Sequence, residues 1–196
     1  ELPPEQGIAL ALETEAAGLQ QANISNSDGA SYGSSRSTAV YANSHGFMGA
    51  ERSTNYSISC SLIAGKDNAM QRDYWYSTAL ALGGLDAARE VGLKAAERTL
   101  ARLNPRSVKT CQYPVLFVPE LARGLIGSFL GAISGGTLYR QASFLQDSVG
   151  RKIFPDWLSM REEPHIVRGL RSAYFDAEGV ATSASDIVSG GVIQRY

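Results

Sequence analysis

The sequence has little of what most side-chain chemistry needs. Among 196 residues there are two cysteines and two histidines. No CxxC pair, no HExxH run and no His/Cys cluster at metal-ligand spacing occurs. No serine lies in a G-x-S-x-G elbow, and no glycine-rich loop carries the lysine of a phosphate cradle; Ser189-Gly190-Gly191 has neither the spacing nor the base. Charge of one sign is also missing. The net charge is −1 with no basic run, which leaves no electrostatic footprint for nucleic acid or an anionic membrane surface. The longest uncharged stretch, 124–139, is glycine-rich and shorter than the ~20 residues a membrane helix needs. Two cysteines make no disulfide framework. Cys60 and Cys111 both lie in strand-like apolar contexts, where a free thiol acts as a small buried hydrophobe. With no signal peptide in view, the expected compartment is the reducing cytoplasm.

What is present is ordinary globular material, 44% hydrophobic and 19% charged. Pro3 and Pro4 precede Ile8, Leu12, Ala16 and Leu19, a spacing that predicts an amphipathic helix over about 4–21 with this stripe on the core. From 21 to 76 the pattern changes to alternation and turns. Asn-Ser-Asp-Gly at 26–29 and Asn-Ser-His-Gly at 43–46 read as hairpin turns. Ile58, Cys60 and Leu62 alternate with serines, and the aromatic run around Trp75 returns after a turn at 66–69. An antiparallel meander of four or five strands is expected. Asp86 is the candidate N-cap of a helix through Leu103, striped by Ala87, Val91, Ala95 and Leu100. A boundary falls at about 105–112.

Beyond it, the apolar run 113–118 reads as a strand, and a glycine-rich helix follows. Further strands are expected near 145–154, 171–175 and 188–194. The fold class is therefore α+β: an antiparallel meander flanked by helices, then the start of a second β-rich domain with a glycine-rich helix. The division is placed at 1–108 and 109–196. Both ends read as interrupted, so the chain is expected to be a piece of a longer protein.

The glycine-rich helix is the segment that most resembles a mount for an active site, yet it carries no Asp, Glu, His, Cys or Lys between Arg123 and Arg140. Gly127, Gly131 and Gly135 recur every fourth residue and would share one helix face. Three glycines at about 1 kcal/mol each in a helix interior call for a compensating contact, either within the domain or with a partner subunit or extended peptide. His45 and His165 fall in turn-like contexts and read as surface or capping residues. The acids Asp156, Asp176 and Glu178 read as turn-capping.

Six stretches carry a family resemblance. They are EQGIALALETEAAGL at 5–19, ANSHG at 42–46, MQRDY at 70–74, GAISGGTLYR at 131–140, FPDWL at 154–158 and FDAEGV at 175–180. Together, in this order, they resemble the PmbA branch, also called TldE, of the TldD/PmbA peptidase family. The resemblance implies that residues 1–108 are the C-terminal part of the family's N-terminal α/β domain and 109–196 the first part of its β-rich C-terminal domain. It also implies a division of labour. A TldD-like subunit carries zinc on a His-Glu-x-x-x-His helix plus a downstream Cys and cleaves peptides, and the PmbA-like subunit pairs with it without those ligands. Carried onto this chain, the metal-helix positions fall at Ser128, Phe129 and Ile133, and the Cys position near Trp157 or Leu158. None of these side chains binds zinc as the family site does.

The expected role is a non-catalytic partner subunit with no cofactor and no catalytic residue of its own, helping to enclose unfolded peptide. Gly127, Gly131, Ser134 and Gly135 are its expected partner- or peptide-packing face. Two alternatives stay open, a peptidase acting by itself and a homodimeric peptide-binding module.

Overall fold

A computed structural model of the chain describes residues 2–196. They form two compact units. The first takes the residues up to Val108 and then Ile166–Ala181; the second takes Lys109–His165 and Thr182–Tyr196.

The first unit is a three-stranded antiparallel sheet, ordered β1-β2-β3, under two helices. Helix α1 (Pro4–Leu19) opens on a proline, whose missing N–H is no loss in the first turn. Strands β1 (Ile24–Ala42) and β2 (Met48–Ala64) make a long hairpin, and β3 (Gln71–Ala79) pairs with the inner half of β2. The hairpin closes at 43–47 as expected: Asn43 Oδ1 accepts the N–H groups of His45 at 3.1 Å and Phe47 at 3.2 Å. The Asn-Ser-Asp-Gly stretch, by contrast, is not a turn. Asp28-Gly29 is absorbed into β1 as a register shift, with the positive φ of Gly29 (113°) spent on the bulge. That is why three strands form where four or five were expected.

Helix α2 (Ala88–Ala101) lies on the same face as α1. Its N-cap is Ala87, without a side-chain cap bond. Asp86 does not cap it, and its backbone N–H instead donates to Ser77 Oγ at 3.0 Å. The core forms where the alternation of β2 predicts: Ile58, Cys60 and Leu62 are buried beneath Val91, Ala95 and Ala96. Each fully buried Ile or Leu contributes about 1.5–3 kcal/mol. Trp75 packs at the edge of this core, with the Arg98 guanidinium 5.1 Å from its ring centre.

Helix α1 reverses the sequence expectation. Its stripe Ile8, Leu12 and Leu19 is exposed, at 59%, 59% and 43%. The buried side is made of Gly7, Thr14, Ala17 and Gly18. The cause is close packing on α2. A Cβ at Gly92 would lie 2.0 Å from the Thr14 carbonyl oxygen, so only small residues fit between the helices.

The segment 166–181 belongs to the first unit and fastens to the hairpin tip. Phe175 meets Phe47 edge-on at 5.1 Å, and Asn43 Nδ2 donates to the Glu178 carbonyl at 3.4 Å. The strand expected at 171–175 is absent; only the isolated bridge between Phe175 and Ala181 forms.

In the second unit, residues 109–118 form no strand, and Val115 and Leu116 are exposed at 70% and 92%. Cys111 is exposed rather than buried. Helix α3 (Pro119–Ala132) and the short α4 (Gly135–Tyr139) follow. Strands β4 (Met160–Glu162), β5 (Ser185–Ser189) and β6 (Val192–Ile193) form a second antiparallel sheet. The stretch 145–154 holds only the bridge Lys152–Val192, and the strand expected at 188–194 is broken by the Gly190-Gly191 turn, both residues at positive φ. The core of this unit is Phe129, Ile133, Leu145, Val188 and Ile193.

Candidate functional site

Helix α3 begins on Pro119, after the extended Val118, and Glu120 sits in its first turn, where a carboxylate is favoured by the helix dipole. Only Phe129 of the helix is buried. Its ring meets Phe154 edge-on at 5.0 Å and 81°, and Ile133, just past the helix end, is 3% exposed in the same core. Ser128 points away from this core and bonds back onto its own helix, donating to the Gly124 carbonyl at 2.9 Å. The three positions that the resemblance assigns to the metal helix are thus two core anchors and a serine tied to the backbone.

The donor set does not fit zinc. Phenyl and butyl side chains offer no lone pair, and both are committed to packing. Where the resemblance puts the Cys, Trp157 is 81% exposed and Leu158 packs against the unit's core. Among the described residues no group of three or more His, Cys, Asp or Glu is placed to hold a metal ion.

The glycine row does not run along one helix. Helix α3 stops at Ala132, so Gly127 and Gly131 are on it, while Gly135 opens α4. Ser134 occupies the corner, its hydroxyl 3.0 Å from the Gly131 carbonyl and 2.9 Å from Thr137 Oγ1. The hydroxyl gives the chain a local partner where α3 must end, an alternative to continuing the helix. A Cβ at Gly127, Gly131 or Gly135 would meet nothing within 4 Å. Packing inside the unit therefore does not explain these glycines. Leu121, Leu125, Ile126 and Leu130 of the same helix are also exposed.

The remaining sequence candidates hold local structure. The ring of His165 lies 3.0 Å from Thr182 Oγ1. Asp156 pairs with Lys152 on the surface. Asp176 Oδ1 accepts the N–H groups of Val180 and Glu178, at 2.9 Å each, and these bonds hold its carboxyl below the usual aspartate range. Burial pushes the Cys60 thiol up to about 11, with the nearby Glu15 charge adding to the shift. Sequence reasoning missed the flank of α1 that overhangs β1, because its apolar residues were assigned to the core.

Residues 1–103 match the PmbA/TldA metallopeptidase central domain, and residues 110–196 match the C-terminal domain of the same family. The chain belongs to the PmbA (TldE) branch of the TldD/PmbA peptidase family. It is 42% identical to the metalloprotease PmbA of Escherichia coli O157:H7 over 197 residues, covering 100% of this chain and 44% of that protein. It is also 42% identical to a metalloprotease PmbA homolog of Haemophilus influenzae, covering 98% of this chain and 43% of the relative. The chain thus spans less than half the length of the curated relatives it matches.

Among solved structures, a proposed modulator of DNA gyrase from Bacteroides thetaiotaomicron superposes with a TM-score of 0.93 at 32% identity, covering 100% of this chain and 45% of that one. TldE from Thermococcus kodakarensis shares the fold, with a TM-score of 0.78 at 19% identity over 100% of this chain and 44% of that chain.

Proposed function

We propose that this chain is part of a non-catalytic PmbA/TldE-type subunit of a two-subunit cytoplasmic peptidase. A TldD-like subunit supplies the zinc chemistry, and the two together enclose unfolded peptide. The observation that supports this reading is the burial of Phe129 and Ile133, which the resemblance assigns to the metal helix and which here serve as packing side chains. The exposed α3 surface, with open space over Gly127 and Gly131, fits a helix covered by another chain. The net charge of −1 adds no case for nucleic acid. Among the described residues no helix is long and apolar enough to cross a membrane.

The test uses the full-length protein purified without chelator, alone and together with a TldD-like subunit. Alone, it should carry zinc well below one equivalent and cleave no unfolded peptide; with the partner, both zinc and cleavage should appear. Gly131→Leu should weaken assembly or peptide entry while the isolated protein stays folded. Stoichiometric zinc removable together with a peptidase activity in the lone protein would overturn the proposal. A stable homodimer that binds peptide and ignores the TldD-like subunit would replace it with the peptide-binding reading.

A further inference from the structure

Three features on one flank of the first unit have no partner among the described residues. Helix α1 turns Gly7 toward the Tyr32 ring and Gly18 toward Leu62 and the Gly92 carbonyl, so this side faces the sheet and α2. Each step along a helix rotates the side chain by about 100°, which carries Ile8, Leu12 and Leu19 off that side as a row one residue on. All three are exposed, and Ile8 overhangs β1. Strand β1 is an outer strand of the sheet and, among the described residues, pairs with β2 alone. The outward N–H and C=O groups of this 19-residue strand therefore form an open edge.

Between helix and edge runs a groove of about 360 Å³, lined by Pro3, Gly7, Ile8, Ala11, Ala30 and Tyr32 among others. The Tyr32 hydroxyl is buried there without a hydrogen-bond partner among the described residues. An apolar row, an unpaired strand edge and an orphan hydroxyl on one flank call for the same occupant: a strand with apolar side chains on its helix-facing side.

Three further facts point to the occupant. The first 103 residues match the domain that is central in the family, one with a further domain ahead of it there. The chain covers 44% and 43% of its PmbA relatives, so more than half of such a protein lies outside it. Pro3 lines the groove, and Leu2 borders both it and the pocket on the α2 side of α1, so polypeptide joined ahead of them is tethered close to the groove at a high effective concentration. We propose that the polypeptide preceding residue 1 adds a strand to the free edge of β1 and covers Ile8, Leu12 and Leu19 with its apolar side.

Amide-resolved hydrogen exchange on the full-length protein tests this, at concentrations where light scattering reports a monomer. The outward-pointing amides of residues 30–41 should exchange slowly. The double substitution Ile8→Lys with Leu12→Lys should speed them by about tenfold or more while the paired amides of β2 and β3 stay protected. A second measurement does not depend on that variant folding. With a protease site placed just before residue 1, the cleaved halves should remain together and keep the β1 amides protected. Fast exchange of those amides in the intact monomer would overturn the proposal. So would protection lost on dilution, which would assign the edge to a second copy, or protection gained only with a TldD-like subunit.

Discussion

Replacing Gly92 by alanine puts the packing of α1 on α2 to a quantitative test. The added Cβ would lie 2.0 Å from the Thr14 carbonyl oxygen, 3.0 Å from its carbon and 3.1 Å from the Ala17 Cβ, where ordinary contact begins near 3.4 Å. Two of these neighbours are backbone, so no rotamer change relieves the clash and the helices must part by roughly 1 Å. Overpacking of this kind typically costs about 1–3 kcal/mol, and a backbone clash belongs at the upper end. Alanine in place of glycine returns about 1 kcal/mol of helix propensity. The net loss is about 2 kcal/mol, which corresponds to roughly 30-fold faster exchange of α1 and α2 amides that open together.

The control is Gly131→Ala in the lone protein, where a Cβ meets nothing within 4 Å. Only the propensity gain of up to about 1 kcal/mol remains there, so α3 amides should exchange more slowly. Native-state exchange on the full-length protein reads both. Unchanged or slower exchange in the α1 and α2 of Gly92→Ala would refute the argument that glycine contact sets the spacing of these helices.

Phe129, the two cysteines and Asp176 each carry a further testable outcome. Phe129→Ala should destabilise the second unit by about 3–5 kcal/mol through loss of a buried ring, measured as early loss of protection at Ile133, Val188 and Ile193; full protection of those amides would remove Phe129 from the core. A thiol reagent at pH 8 should modify Cys111 rapidly and spare Cys60 until the first unit unfolds. The Cys60 thiol rises from 9.0 to about 11 on folding. Its contribution to stability is therefore complete below pH 9 and is lost as pH climbs toward 11, because the unfolded thiol ionises first. The Asp176 carboxyl shifts the other way, so its turn should hold above the ordinary aspartate range and loosen only as pH falls through its lowered value. Asp176→Ala should speed exchange at Glu178 and Val180 at neutral pH; equal rates would show that the backbone holds the turn unaided.

The alternation of Ile58, Cys60 and Leu62 was legible because an antiparallel strand with one buried face writes its burial directly into hydrophobicity. Helix α1 was legible as a helix but not in its orientation. Its buried face was chosen for smallness, with Gly7 and Gly18 inward, and hydrophobic periodicity pointed to Ile8 and Leu12 instead. Asp28-Gly29 signals a positive φ, and the chain has one there, but a bulge and a hairpin turn make the same demand on a glycine. The run 113–118 has strand composition without a strand, since composition cannot supply a neighbour to pair with. At the candidate site, the absence of Asp, Glu, His, Cys and Lys between Arg123 and Arg140 could be read directly. The break after Ala132 could not, because glycine spacing continues through Gly135 while the helix does not.

The return of residues 166–181 to the first unit sets an order of events during synthesis. Phe175 is the ring that covers Phe47 at the hairpin tip, and a Cβ at Gly49 would lie 2.7 Å from it. When Val108 leaves the ribosome, the sheet and both helices of the first unit are complete in sequence, yet their aromatic tip is still bare. It stays bare until some 70 further residues have been made, several seconds at ordinary elongation rates. A gene fragment cut at the apparent boundary near 108 would therefore express the sheet without its clasp. A chaperone that recognises exposed aromatic groups would find its interval of access in that delay.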